Sequence, residues 1–123
     1  MAKILIIDDN NEFREMLKEL LQGSGYEVFD AADGNSGLDI CHKDHMDLVI
    51  SDIIMPAKDG IDVMLELKRD FPDLKIIAIS GGGRGNASDY LSVSKMLKNV
   101  KYTFRKPFDN EELLKAIKAI LGV

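Results

Sequence analysis

Leu48-Val49-Ile50-Ser51-Asp52-Ile53-Ile54-Met55-Pro56, running on to Asp59-Gly60, is the stretch around which this chain is organised. An apolar run reaches a carboxylate, and a proline and a glycine then stop it. Leu48 to Ile50 read as a strand buried on both faces, the kind found in parallel sheets. Asp52 follows at that strand's carboxyl end, where open parallel sheets bind their ligands. Lys3-Ile4-Leu5-Ile6-Ile7 is a second run of the same kind, and it ends in Asp8-Asp9. If the two strands are parallel neighbours, Asp8, Asp9 and Asp52 converge at one edge of the sheet. Clustered carboxylates repel one another, and a hard divalent cation with oxygen ligands relieves the repulsion. Mg²⁺ suits such a site, because it keeps several waters and takes only one or two carboxylates. Taken alone, Asp8-Asp9 also read as acids placed at the N-terminus of the next helix.

Residues 1–123 read as one domain, long enough to bury a core. Hydrophobic residues make up 46% and charged residues 30%, which places the chain among ordinary globular proteins. A net charge of −5 without any basic run speaks against direct nucleic-acid binding. Cys41 is the only cysteine, so no internal disulfide forms, as expected for a reducing cytoplasm. No signal-peptide pattern precedes the first strand, and no apolar run approaches membrane-spanning length. The expectation is a cytoplasmic protein without membrane insertion and without an appended output domain.

Along the chain, Asn10 and Asn11 offer caps for a helix whose stripe is Phe13, Met16, Leu17, Leu20 and Leu21. Gly23-Ser24-Gly25 ends it. Residues 26–29 make a short strand, and a less regular helix follows over residues 36–42. Cys41 and His42 resemble a ligand pair, but no second Cys or ligand-spaced His accompanies them. A core thiol beside a surface imidazole is the reading. After the Asp52 strand, Gly60 opens a helix carrying Ile61, Met64, Leu65 and Leu67, which Pro72 closes. Lys75-Ile76-Ile77-Ala78-Ile79 is a fourth buried strand and ends at Ser80. The glycine-rich residues 81–85 form a loop, and a weakly amphipathic helix is expected over residues 88–97. Residues 101–105 read as a fifth strand, leading to Lys106-Pro107-Phe108. Asp109 and Glu112 signal a capping box for a last helix with the stripe Leu113, Ala116, Ile117, Ile120 and Leu121. Five strands alternating with five helices predict a doubly wound α/β sandwich around a parallel sheet. Four strand ends then bring chemistry to one edge: Asp8-Asp9, Asp52, Ser80 and Lys106.

Over its full length the chain resembles the receiver domains of bacterial two-component response regulators, the CheY-like family. The matching pieces are Ile7-Asp8-Asp9, Asp52-Ile53-Ile54-Met55-Pro56 with Asp59-Gly60, Ser80 and Lys106-Pro107-Phe108. The resemblance implies the flavodoxin-like strand order 2-1-3-4-5. It implies phosphoryl transfer from a phosphohistidine, on a histidine kinase or histidine phosphotransfer protein, to Asp52. Asp9, Asp52 and the backbone carbonyl of Ile54 would hold Mg²⁺, with Asp8 acting through metal-bound water. Ser80 would donate a hydrogen bond to a phosphoryl oxygen and Lys106 would pair with another. A cis Lys106–Pro107 peptide is expected on the same ground. The product would be a stand-alone switch or phosphorelay intermediate, a monomer or weak dimer that acts on a downstream protein.

Three positions depart from the family's pattern. Thr103 stands where many members have an aromatic three residues before the lysine, leaving Tyr102 or Tyr90 as substitutes in the activation switch. The glycine-rich loop is longer than usual and carries Arg84, placed to reach a phosphoryl group or a partner. It lacks the spacing and terminal residues of a nucleotide-binding loop. Ile54, two residues after the acceptor, offers nothing to orient an attacking water, so a long-lived phosphate is expected. Rival readings are an inactive pseudo-receiver, a phosphohydrolase with an Asp nucleophile, and a flavin mononucleotide carrier. The complete acid, hydroxyl and lysine set opposes the first. Ile54, where such hydrolases place a second Asp, opposes the second. Asp8-Asp9-Asn10, in place of a phosphate-binding loop, opposes the third.

Overall fold

The structure, a computed structural model, describes residues 1–53, 60–80 and 97–122. Its elements are β1 (Lys3–Ile7), α1 (Asn11–Gly23), β2 (Glu27–Ala31), α2 (Gly34–Lys43), β3 (Leu48–Asp52), α3 (Gly60–Asp70), β4 (Lys75–Ser80), β5 (Val100–Arg105) and α4 (Asn110–Leu121). The five strands form one sheet in the order β2-β1-β3-β4-β5, and every neighbouring pair is parallel. Because residues alternate between faces along a strand, each apolar run supplies two cores. Leu5, Ile7, Val49, Ile76 and Ala78 face α2 and α3, meeting Leu38, Cys41, Val63, Met64 and Leu67. Ile4, Ile6, Leu48, Ile50, Ile77 and Ile79 face α1 and α4, meeting Leu17, Leu21, Leu113 and Ile117. That two-sided burial is why these strands read as continuous apolar runs rather than alternating ones.

Four helices are present among the described residues. The helix expected over residues 88–97 lies outside them except for Leu97, which packs half-buried on the α2–α3 side. Several element ends differ from the sequence expectation, each for a specific reason. β2 runs on to Ala31 because it pairs residue for residue with β1, from Lys3↔Glu27 to Ile7↔Ala31. α2 starts at Gly34 because the Asp33 carboxylate accepts the Ser36 N–H at 2.8 Å. Gly25 closes α1 at φ +95°, a conformation that favours glycine. The α4 cap also differs from a standard capping box: Asp109 accepts the N–H of Glu111, not that of Glu112. Cys41 is buried, and burial pushes its thiol up to about 11, which leaves it a core group. His42 is exposed beside Asp70 and against the Phe71 ring. No described helix is long and apolar enough to cross a membrane.

Candidate functional site

Parallel pairing of β1 with β3 aligns Ile7 with Ser51, so the next residues, Asp8 and Asp52, lie side by side at the carboxyl ends of the two strands. One carboxylate oxygen each from Asp8, Asp9 and Asp52 lie within 4.8 Å of one another. Asp8 is 1% exposed and Asp52 6%, so this is not a loose surface cluster. The donor set is all oxygen, partly buried and open to water at Asp9, which fits a hard, hydrated divalent ion.

Lys106 comes from the far end of the chain. β4 pairs with β5 up to Ser80↔Arg105, and the Lys106 N–H then donates to the Ser80 carbonyl at 2.7 Å. That register turns the lysine over the acids. Its Nζ donates to Asp8 Oδ2 at 2.8 Å and stands 3.9 Å from Asp52 Oδ2. The ammonium also lies 3.8 Å from the centroid of the Phe13 ring. A charge-assisted hydrogen bond contributes about 1.5–3 kcal/mol and a cation over a ring about 0.5–2 kcal/mol. Asp8 is therefore the principal partner and Phe13 the secondary one. The Lys106–Pro107 peptide is cis. Ser80 is fully buried at the end of β4, in the strand next to Asp52.

The loop that carries Asp8 and Asp9 is tied down from several sides. The Asn10 N–H donates to Asp8 Oδ1 at 2.8 Å, so both oxygens of Asp8 are engaged within the protein. Asn10 in turn caps α1, its side chain accepting the Phe13 N–H at 3.0 Å. Arg14 donates to the Asp8 carbonyl, the Asp30 carboxylate and the Asn11 side chain at 2.7–2.8 Å. Burial pushes Asp30 up, but the hydrogen bonds from Arg14 and Lys18 outweigh it and hold the carboxyl below its usual range.

Sequence reasoning placed Asp8, Asp9, Asp52, Ser80 and Lys106 at one edge, and the fold brings them there. Thr103 is half-buried beside Ala78, on the opposite face of β5 from Tyr102 and Phe104. Tyr102 is 41% exposed and stacks on Phe104. Ile54, Tyr90 and Arg84 lie outside the described residues. Phe13 and Arg14 were missed as site residues. Phe13 belongs to the apolar stripe of α1 and Arg14 is a charged neighbour off it, and nothing local separates either from a residue that only packs on the sheet or faces solvent. A separate cleft of about 430 Å³, lined by Cys41, Phe71, Leu74 and Leu121 among others, lies at the opposite end of the sheet. No predicted site residue lines it.

Comparison with known proteins follows the same outline. The profile of the response regulator receiver domain matches residues 4–118. Sporulation initiation phosphotransferase F from Bacillus subtilis (strain 168) is 36% identical over 119 residues, which cover 97% of this chain and 93% of that protein. The transcriptional regulatory protein CpxR of Escherichia coli (strain K12) is 35% identical over 98% of this chain, which spans only 50% of that relative. Among solved structures, response regulator protein TrrA from Thermotoga maritima, in complex with Mg(2+)-BeF, superposes with a TM-score of 0.82. It is 34% identical and the match covers 98% of this chain and 99% of that one.

Proposed function

The chain belongs to the response regulator receiver domain family, and on that premise we propose that it is a phosphorylation switch whose acceptor is Asp52. The observation that supports this most directly is the placement of one ammonium against two acids. Lys106 bonds Asp8 and stands beside Asp52, at the edge where β1, β3, β4 and β5 end. A Coulomb attraction at such distances is worth several kcal/mol in a partly buried site. It offsets the repulsion among the acids and leaves a cation in reach of a group carried by Asp52.

The chemistry is phosphoryl transfer from a phosphohistidine of a histidine kinase or phosphotransfer protein. An Asp52 oxygen attacks phosphorus as the P–N bond breaks. The electron pair stays on the imidazole nitrogen, which takes a proton from water. Asp9 and Asp52, with the Ile54 backbone carbonyl that the family resemblance implies, would hold Mg²⁺, and Asp8, both of whose oxygens are engaged within the protein, would contribute through water. When bound, the ion neutralises charge on the equatorial oxygens. Lys106 pairs with one phosphoryl oxygen and the Ser80 hydroxyl donates to another. The similarity to TrrA, solved in complex with Mg(2+)-BeF, supports Mg²⁺ as the ion.

The similarity to sporulation initiation phosphotransferase F supports a phosphorelay role through protein contacts, and a net charge of −5 without a basic run speaks against direct action on DNA. A fifth helix in the region of residues 88–97, a cytoplasmic location, and a switch surface involving Thr103, Tyr102, Tyr90 and Arg84 complete the reading. The test is intact mass after incubation with acetyl phosphate, with Mg²⁺ or EDTA, for wild type and Asp52→Asn. One added phosphoryl group that needs both Mg²⁺ and Asp52 is expected. A folded, Mg²⁺-binding protein that gains no mass would make it a pseudo-receiver.

A further inference from the structure

Lys106 is held from two sides. Its ammonium bonds Asp8 on the side of the acids, and the face of the Phe13 ring covers the other. Phe13 is the third residue of α1, and the Asn10 cap anchors its backbone N–H. The ring is braced edge-on by Phe108, with centroids 6.0 Å apart and planes at 78°. Phe108 leans in turn on Phe104, 5.5 Å away. Phe104 and Phe108 flank Lys106 in sequence, so the two segments entering and leaving the lysine also fix the ring that it touches.

A lysine ammonium is a point charge on a flexible four-carbon stem. Three carboxylates lie close together here, so on charge alone several poses compete. An aromatic face narrows the choice in a particular way. It attracts the cation but accepts no conventional hydrogen bond, so the three N–H donors remain available to oxygen. Asp8 occupies one donor, and Asp52 Oδ2 lies 3.9 Å from the same nitrogen.

We propose that Phe13 is a positioning residue for phosphoryl transfer, its ring holding the Lys106 ammonium between Asp8 and Asp52. The role rests on the proposed acceptor chemistry at Asp52. Phe13 acts through the lysine that its ring faces. An aliphatic residue of similar bulk would fill the same space without attracting the charge.

Two readouts on the full chain test this. In wild type, ring currents from Phe13 are expected to shift the Lys106 ε-methylene protons upfield. Phe13→Leu is expected to lose that shift and to slow Asp52 phosphorylation by acetyl phosphate in saturating Mg²⁺ about three- to tenfold. Phe13→Tyr is expected to restore both, with the rate within about twofold of wild type. Substituting 4-fluoro-, 3,5-difluoro- and 3,4,5-trifluorophenylalanine at position 13 keeps the shape while draining the ring face of charge, and the rate should fall stepwise. A flat rate across that series, or no upfield shift in wild type, overturns the role, even if Phe13→Leu is slow. If wild type takes no phosphoryl group at Asp52, the proposed function fails and the positioning role fails with it. The ring-current shift would then still show whether the contact itself exists.

Discussion

Asp30 shows how one carboxylate can serve the site without belonging to it. It sits in β2 with a 21% exposed side chain, bonded by Arg14 at 2.8 Å and Lys18 at 3.2 Å. Arg14 spends another donor on the Asp8 carbonyl, so Asp30 steadies the residue that steadies the acid loop. Its pKa is lower folded than unfolded, despite the opposing pull of burial. The sign follows directly. Such a group contributes fully above its unfolded pKa of about 4, and the contribution disappears as pH falls through the lower folded value. Asp30→Asn is therefore expected to cost about 1–2 kcal/mol at pH 7, allowing for partial exposure. Followed by urea unfolding, the gap to wild type should narrow as pH falls below about 4 and close only beneath the lower folded value. A gap that persists unchanged at pH 3 would mean that packing, and not charge, sets the cost.

At the scale of elements, α2 is held against β1 by an absence of side chain. Gly37 is buried, and a Cβ built on it would stand 2.8 Å from Ile7 Cγ1, closer than side chains tolerate. Ile7 is itself fully buried and ends the strand that delivers Asp8. Alanine would improve helix propensity by about 1 kcal/mol, but overpacking costs about 1–3 kcal/mol. Gly37→Ala should thus be destabilised by a net of about 1 kcal/mol, read as a lower urea midpoint with an unchanged slope. A stabilised variant would show that α2 shifts freely against the sheet. The elements were largely readable from the chain: the Asn10 and Asp109 caps and the apolar runs of β1, β3 and β4 are local signals. The ends of β2 were not, because pairing with β1 decides them. For the same reason Phe13 read as core stripe, since its position over Lys106 depends on how α1 lies across the sheet.

For the whole molecule, the site sets binding against stability. Asp8, Asp9 and Asp52 are drawn together by sheet register, and the fold has to bear their mutual repulsion. Without metal, Asp9→Asn is expected to be more stable than wild type by about 1–2 kcal/mol, the scale of partly screened charges at such distances. With Mg²⁺ the order should reverse. A ligand at about 100 times its dissociation constant adds about 2.7 kcal/mol to a protein that binds it and nothing to one that does not. Thermal unfolding in Mg²⁺ and in EDTA checks both halves. An Asp9→Asn protein that melts below wild type in EDTA would remove the repulsion from the account.

What the sequence determined by itself is the class of fold and the cast of the site. Apolar runs of strand length, punctuated by carboxylates, a serine and a lysine, specify a parallel sheet with reactive groups at its strand ends, since burial and turn chemistry are written locally. Tertiary structure alone decided who meets whom. Asp8 and Lys106 are 98 residues apart, and only the order β2-β1-β3-β4-β5 with its registers sets them 2.8 Å from one another. No periodicity encodes that distance. It results from strand pairing across the sheet, where the free energy of each contact depends on every crossover that precedes it.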